Sequence, residues 1–186
     1  MRKPNKAATA HGGDGQLRII GGQWRSRQFN FPMAAGLRPT PNRVRETLFN
    51  WLAPYVEGAK VLDLFAGSAL ALDLNPGAVA SLRGHLLTLG CDNGQLLQSD
   101  ALVYLQTQAA TPFDLVFLDP PFSQDLLLPA CNLLEQHGWL AADAWVYTES
   151  ENPPSALGLP GNWRLHREQK AGQVYYALWQ RSAQEG

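Results

Sequence analysis

The chain has little of what several common kinds of functional site require. Its 186 residues include two cysteines and four histidines, and neither type recurs at metal-ligand spacing. We therefore expect no metal site, and we expect Cys91 and Cys131 to be reduced and structural. No apolar run approaches the roughly 18 residues of a membrane span, and the polar start lacks the apolar region of a signal peptide. These absences favour a cytoplasmic protein with no membrane partner.

Charge is sparse and unevenly divided along the chain. The formal net charge is −1, but residues 1–60 contain ten Lys or Arg against three Asp or Glu, whereas residues 61–186 contain five against thirteen. A basic segment attached to an acidic body predicts that a polyanion docks beside the main domain. With 45% hydrophobic residues, the chain is long enough for one α/β domain plus an appendage.

One apolar stretch organises the rest of the chain. Leu115–Leu118 reads as a strand buried on both faces, which places Asp119 at the carboxyl end, where open α/β sheets bind ligands. Pro120 and Pro121 stiffen the backbone there, and Phe122 follows at the rim. An acid, a fixed carbonyl and an aromatic face suit a planar group that carries an exocyclic amine. The alternative is a tight exit from the sheet, with Asp119 capping a turn and Phe122 in the core.

The basic segment is expected to contain a β-hairpin. Residues 1–15 show no periodicity and are predicted to be a flexible tail. Leu17–Ile20 and Gln23–Phe29 read as strands joined at Gly21–Gly22, because two glycines supply the positive φ angles that a two-residue turn requires.

The hairpin arginines are candidate phosphate ligands. Arg25 and Arg27 share one face of the predicted strand, and Arg18 lies nearby. The charge division favours contact with a nucleic acid over an ordinary solvated surface. For Trp24 and Phe29 we favour packing that anchors the hairpin over stacking on a base.

A helix is predicted directly after this segment, with Thr40 as its N-cap and Pro41 as its first residue. Arg43 and Arg45 fall in its first turns, where a cation opposes the helix dipole unless an anion binds there. The alternative is a salt bridge to an acid of the main domain. The apolar stripe of this helix is expected to comprise Val44, Leu48, Phe49 and Leu52.

Acids recur where strands are predicted to end, at Asp63, Asp73, Asp100 and Asp119. The first of these strands runs into a small-residue loop, where Gly67 permits close approach of the backbone to a ligand. There is no GxGxxG, so a dinucleotide site is not indicated. The next strand is predicted over 69–75, so that Ser68, or at most Ser68 and Ala69, separates it from the first. Parallel neighbours normally need a crossover of a dozen residues, so either the strands are not neighbours or, as we favour, a helical segment is missing from the sequence as written.

The remaining helices and strands are predicted from the spacing of apolar residues and from the glycines and prolines that interrupt it. Helices are predicted over Pro76–Leu89, Leu102–Gln108 and Asp125–His137. Strands are predicted over Leu96–Ala101 and Ala144–Ser150, followed by a closing antiparallel hairpin of Trp163–Glu168 and Val174–Gln180.

Several of these stretches together resemble a known family. They are Arg18–Arg25 (RIIGGQWR), Gly36–Thr40 (GLRPT), Arg43–Leu52 (RVRETLFNWL), Leu64–Ser68 (LFAGS) and Asp119–Phe122 (DPPF). They closely resemble the RsmD family, bacterial 16S ribosomal RNA guanine-N2 methyltransferases dependent on S-adenosylmethionine. The resemblance implies a Rossmann-like seven-stranded methyltransferase sheet with helices on both faces and an N-terminal β-hairpin extension. It places RNA docking in residues 16–40 and the methyltransferase domain in residues 41–186.

The resemblance also implies roles for individual residues. The implied cofactor-binding residues are Asp63, Phe65, Ala66, Gly67, Asp73, Asp100, Ala101 and Thr40. The implied catalytic residues are Asp119, Pro120, Pro121 and Phe122. Apart from the resemblance, the basic character of the first 60 residues makes Arg18, Arg25, Arg27, Arg38, Arg43 and Arg45 the candidate RNA-binding residues. In one respect the chain departs from the family, where Phe-Ala-Gly-Ser is followed by a further glycine and a helix that are absent here.

The resemblance implies that guanine, flipped out of ribosomal RNA, stacks on Phe122 and donates its N2 hydrogens to the Asp119 carboxylate and the Pro120 carbonyl. These acceptors aim the nitrogen at the cofactor methyl group, so catalysis is mainly positioning. Two alternatives remain open: a non-catalytic RNA-binding or ribosome assembly factor, and a methyltransferase that acts on adenine N6 or a protein glutamine.

Overall fold

The computed structural model describes residues 14–19, 24–32, 40–65, 70–72, 76–92, 94–122 and 124–182. A seven-stranded mixed sheet forms the body, in the order β5-β4-β3-β6-β7-β9-β8. Its strands are β3 (Val61–Asp63), β4 (Leu70–Leu72), β5 (Gln95–Leu97), β6 (Phe113–Leu118), β7 (Leu140–Ser150), β8 (Trp163–Ala171) and β9 (Val174–Arg181). β9 pairs antiparallel with β7 and β8, and the other neighbours are parallel. The α/β class predicted from the sequence is confirmed.

Helices cover both faces of the sheet. The helices are α1 (Asn42–Leu52), α2 (Pro76–Leu89), α3 (Ala101–Leu105) and α4 (Leu127–Gln136), with a short 3-10 helix at Pro154–Ala156. One apolar cluster packs Leu48 and Leu52 of α1 against Tyr147 of β7, and the other packs Leu134 of α4 against Val146. Adjacent residues of β7 thus point to opposite faces, as strand geometry requires. None of the helices in the described part of the chain is long and apolar enough to cross a membrane.

The start of α1 differs from the prediction in its cap. Pro41 is the N-cap and Asn42 the first helical residue, and no side chain caps the helix. The hydroxyl of Thr40, predicted to be the cap, instead donates to Glu149 on β7. The predicted apolar stripe is buried at Val44, Leu48 and Leu52 but not at Phe49, whose side chain is 44% exposed.

A separate two-stranded antiparallel sheet precedes α1 and consists of β1 (Asp14–Arg18) and β2 (Gln28–Pro32). The predicted hairpin therefore exists, but its second strand begins later than Gln23–Phe29. Trp24–Ser26 is a turn, in which the φ angle of Ser26 is +72°. The predicted Gly21–Gly22 turn lies outside the described residues.

Other predictions for this segment are confirmed in part. The tail predicted over 1–15 ends two residues too late, because Asp14 and Gly15 belong to β1. Arg25 lies in the turn rather than on a strand, so it does not share a strand face with Arg27. Phe29 packs as predicted, with its ring centroid 4.6 Å from that of His85 on α2.

The pairing of β3 with β4 decides between the two explanations only in part, and the missing helical segment stays a prediction. The strands are parallel neighbours, with Leu62 beside Leu70 and Asp63 beside Ala71, so the alternative that they are not neighbours is wrong. Only six residues, 64–69, connect them.

The other predicted helices and strands are present, but most of them begin or end at other residues than predicted. α2 has the predicted bounds, Pro76–Leu89. β5 ends at Leu97 rather than at Ala101, and α3 is shorter than Leu102–Gln108. α4 is likewise shorter than Asp125–His137, whereas β7 begins four residues before Ala144.

Candidate active site

Three acidic side chains line up at the carboxyl edge of the sheet. Asp63 lies beside Phe117 on the neighbouring strand, and Phe117 lies beside Tyr147 on the next. Asp119 and Glu149 come two residues after Phe117 and Tyr147, so all three acids belong to the face that α1 covers. We call Asp63, Asp119 and Glu149 the carboxylate row. The predicted placement of Asp63 and Asp119 at neighbouring strand ends is confirmed.

Asp119 is the unsatisfied member of the row. Its Oδ1 oxygen is buried and has no hydrogen-bond partner among the described residues. Burial raises the pKa of the Asp119 carboxyl well above its usual range, and the charges of Asp63 and Glu149 raise it further. A buried acceptor without a donor is costly unless a ligand or a proton satisfies it. The geometry therefore favours the ligand-binding interpretation of Asp119 over a turn cap.

Glu149 links the segment before α1 to the sheet. Its Oε1 accepts hydrogen bonds from the Tyr147 hydroxyl at 2.7 Å and from the Thr40 hydroxyl at 3.0 Å. Burial raises the pKa of Glu149, and these two hydrogen bonds partly offset the effect. Burial and the charge of Glu149 raise the pKa of Tyr147. Sequence reasoning missed Glu149, although it stands one residue before the end of a predicted strand, and the candidate acids were all expected near strand ends.

The other predicted cofactor residues are only partly described. Asp63 Oδ1 accepts from the Phe65 backbone N–H at 3.2 Å, which folds the start of the following loop back over the strand end. Asp100 does not end a strand: its Oδ1 accepts from the Val103 N–H at 3.0 Å and caps α3. Ala101, the first residue of α3, is buried. Ala66, Gly67 and Asp73 lie outside the described residues.

The aromatic and proline part of the motif lies beside Asp119. Pro120 is buried and Pro121 exposed, and Phe122 is a large apolar side chain that remains 36% exposed. An aromatic ring left exposed beside a buried unsatisfied acid is suited to stacking a flat ligand. The alternative that Phe122 is a core residue is wrong.

The basic side chains lie on the hairpin and on α1. Arg18, Arg25, Arg27 and Arg43 are exposed. Arg45 is engaged instead: its guanidinium donates to the Arg18 carbonyl at 3.1 Å and to Asn42 Oδ1 at 3.3 Å. Burial lowers the pKa of Arg45, partly countered by Glu46. Arg45 therefore attaches the hairpin to α1, and Arg38 lies outside the described residues.

The carboxylate row predicts an unusual pH dependence of stability. Because the folded-state pKa of Asp119 is raised, the native protein binds more protons than the unfolded chain once the pH exceeds the unfolded value of about 3.9. The free energy of unfolding of the ligand-free protein should then fall as the pH rises from that value through the raised pKa. Asp119→Asn should flatten this fall and raise the melting temperature at pH 7, whereas Asp143→Asn, at an exposed site, should do neither. An unchanged pH profile of Asp119→Asn in thermal unfolding would refute the assignment.

Comparison with known proteins identifies the family. The family model described as conserved hypothetical protein 95 matches residues 17–180. The ribosomal RNA small subunit methyltransferase D of Escherichia coli K12 is 46% identical, and the alignment covers 99% of this chain and 97% of that protein. That alignment spans 198 positions, whereas 99% of 186 residues is about 184, so about 14 positions have no counterpart in this chain.

Solved structures agree with this assignment. A putative methyltransferase from Escherichia coli has a TM-score of 0.83 at 47% identity, over 91% of this chain and 100% of that one. A Thermus thermophilus 16S rRNA N2 methyltransferase, solved with AdoMet and guanosine, shares the fold with a TM-score of 0.63 at 22% identity, over 91% of this chain and 50% of its own. The match over nearly the whole length, together with the row of acids at the sheet edge, shows that the chain belongs to the RsmD family.

Proposed function

We propose that this protein transfers a methyl group from S-adenosylmethionine to the exocyclic N2 of a guanine in 16S ribosomal RNA, in the bacterial cytoplasm. The observation that carries the proposal is Asp119, whose buried Oδ1 lacks a donor in the part of the chain that the structure describes. An exocyclic amine supplies the missing donor. The relatives named above are small-subunit ribosomal RNA methyltransferases, which supports the same class of reaction.

The carboxylate row also fits the cofactor. S-adenosylmethionine carries positive charge on its sulfonium and its ammonium groups, and the described side chains include no cation paired with Asp119 or Glu149. A row of buried carboxylates favours a cationic ligand, because each acid loses hydration on burial. Asp63 and the backbone at Phe65 would hold the methionine part. When bound, the cofactor supplies an electrophilic methyl group.

The residues of this chain then position the nucleophile. The Asp119 carboxylate and the Pro120 carbonyl accept the two N2 hydrogens of guanine, and Phe122 stacks on the base. Holding the nitrogen in this way supplies most of the rate enhancement by orientation. Asp119, whose pKa is raised, is suited to take the surplus proton after transfer.

The hairpin supplies the docking surface for RNA. We propose that residues 16–40 contact phosphates and that residues 41–186 perform the chemistry. Arg25→Ala combined with Arg27→Ala should raise the KM for ribosomal RNA about tenfold at low salt and reduce the salt dependence of binding, with kcat nearly unchanged. Arg83→Ala, at an exposed site on α2, is the matched control. Equal KM values for the hairpin variant and the control would contradict the docking role.

Incubation with labelled cofactor tests the proposed reaction. The substrate is total RNA or small subunits from cells that lack the enzyme, and the products are digested to nucleosides. Label should appear in N2-methylguanosine. Label in N6-methyladenosine would favour the adenine alternative, and the absence of both cofactor binding and label would favour a non-catalytic RNA-binding factor.

A further inference from the structure

Glu149 is hydrogen-bonded through only one of its two oxygens. Both of its hydrogen bonds, from Tyr147 and from Thr40, end on Oε1. Oε2 accepts no hydrogen bond from any residue that the structure describes. Two donors on one oxygen fix the orientation of the carboxylate, so Oε2 is a preset acceptor. The reaction proposed above assigns no role to this oxygen.

The free oxygen belongs to a side chain adjacent to Asp119. Leu118 and Thr148 are in register on the parallel neighbours β6 and β7, and the two acids are the next residue on each strand. Neighbouring strands are about 4.8 Å apart, so the carboxylates stand side by side. At this separation the Glu149 charge adds to the effects of burial and of Asp63 in raising the pKa of Asp119. Two adjacent acceptors, one of them buried and unpartnered, are complementary to a ligand with two adjacent N–H groups.

Guanine presents that pattern on its Watson–Crick edge, where N1–H lies next to the N2 amino group. Adenine presents an acceptor at N1 beside its N6 amino group. We infer that Glu149 Oε2 accepts the N1–H of the target guanine while Asp119 holds N2, so that Glu149 selects guanine over adenine. This inference rests on the proposed function, because it assigns the base-selecting residue of the same site.

The selection follows from the cost of an unpaired buried acceptor. With adenine in the site, the N6 amino group could still donate to Asp119, but the N1 lone pair would face Glu149 Oε2, and neither N1 nor Oε2 would have a donor. Sites built to hydrogen-bond a particular substrate group reject analogues that lack it more strongly than apolar pockets reject a change of size. A hydrogen bond to a charged group corresponds to a preference of about 10- to 100-fold.

Glu149→Gln separates base selection from the structural role of the same side chain. The amide oxygen of the glutamine takes the place of Oε1 and keeps accepting from Tyr147 and Thr40. The amide NH₂ takes the place of Oε2 and turns the acceptor into a donor. Tyr147→Phe and Thr40→Val do the opposite. Each removes one hydroxyl that donates to Oε1 and leaves the Glu149 carboxylate in place.

The probes are guanosine and 2-aminopurine riboside, which has the same amino group but no hydrogen on N1. Their dissociation constants are measured by calorimetry with the full chain, and thermal unfolding checks that each variant is folded. Wild-type protein should prefer guanosine by about 10- to 100-fold, and Glu149→Gln should abolish or reverse that preference. Tyr147→Phe and Thr40→Val should weaken both nucleosides alike and keep the preference.

Any of three results would overturn the inference: equal affinity of wild-type protein for the two nucleosides, no detectable guanosine binding, or an unchanged preference in folded Glu149→Gln. Methylation of ribosomal RNA by wild-type protein is measured in parallel. Active wild-type enzyme with an unchanged preference in Glu149→Gln would overturn the role of Glu149 alone. Inactive wild-type enzyme would instead count against the proposed function.

Discussion

Asp119→Ala should abolish methyl transfer while leaving the affinity for S-adenosylmethionine nearly intact. The alanine removes the carboxylate that accepts one N2 hydrogen and leaves only the Pro120 carbonyl, and loss of such a positioning and proton-accepting group costs about a thousandfold in kcat. Asp119→Asn keeps one acceptor oxygen and should therefore retain more activity than the alanine variant. The measurements are single-turnover methylation of ribosomal RNA and equilibrium dialysis with labelled cofactor.

Asp143→Ala is the matched control for this series, because Asp143 is an exposed aspartate on β7. It should keep wild-type turnover and wild-type cofactor affinity. If Asp119→Ala turned over at a rate close to the control, the assignment of Asp119 would fail. If it lost cofactor binding altogether, Asp119 would belong to the cofactor site instead.

Glu135→Leu should lower the free energy of unfolding by about 2 to 4 kcal/mol, because it leaves a largely buried cation without its partner. Glu135 Oε1 accepts from Arg181 Nε at 2.8 Å and from the indole N–H of Trp163 at 2.6 Å, and its Oε2 accepts from Arg181 Nη2 at 3.0 Å. Burial opposes ionisation of Glu135, but the bonds from Arg181 and Trp163 prevail and lower its pKa. This network joins α4 to the closing hairpin, so urea unfolding should report the loss.

The double variant Glu135→Leu with Arg181→Leu should lose less stability than Glu135→Leu alone, since it removes the unpaired charge as well. Glu168→Leu, at an exposed position of β8, is the control and should change the unfolding free energy little. A loss in Glu135→Leu no larger than in the control would show that the network does not stabilise the fold.

Sequence reasoning located the elements whose signals are local. The buried strand before Asp119 carries a run of large apolar residues ended by two prolines, and β6 lies there. α2 has the predicted bounds because Pro76 suits a helix start and Gly90, at φ +63°, suits its end. These patterns depend on neighbours within one or two turns, so they are readable without the fold.

Contacts between distant residues were not predictable in the same way. Thr40 was expected to cap its own helix, but its hydroxyl donates to Glu149, 109 residues away. A threonine hydroxyl before a helix can bond to the helix backbone or to a distant side chain, and the neighbouring sequence does not favour one over the other. The buried Glu149 carboxylate on β7 needs a donor, and this need decides the outcome. Glu149 was missed for the same reason, since its role appears only when β6 and β7 are in register.

The connection between β3 and β4 is short for two parallel neighbours. About 14 alignment positions of the Escherichia coli relative have no counterpart here, and six residues connect two parallel strands where a dozen or more are usual. β3 and β4 pair through two residues each. The carboxylate row lies at the ends of β3, β6 and β7, outside this connection.

The central claim is that the row of acids at the sheet edge directs a methyl group to guanine N2. The most direct measurement incubates the purified protein with labelled S-adenosylmethionine and unmodified small-subunit ribosomal RNA, and then identifies the labelled nucleoside. The account predicts N2-methylguanosine from the wild-type protein and none from Asp119→Ala. Label in any other nucleoside, or equal label from both proteins, would contradict it.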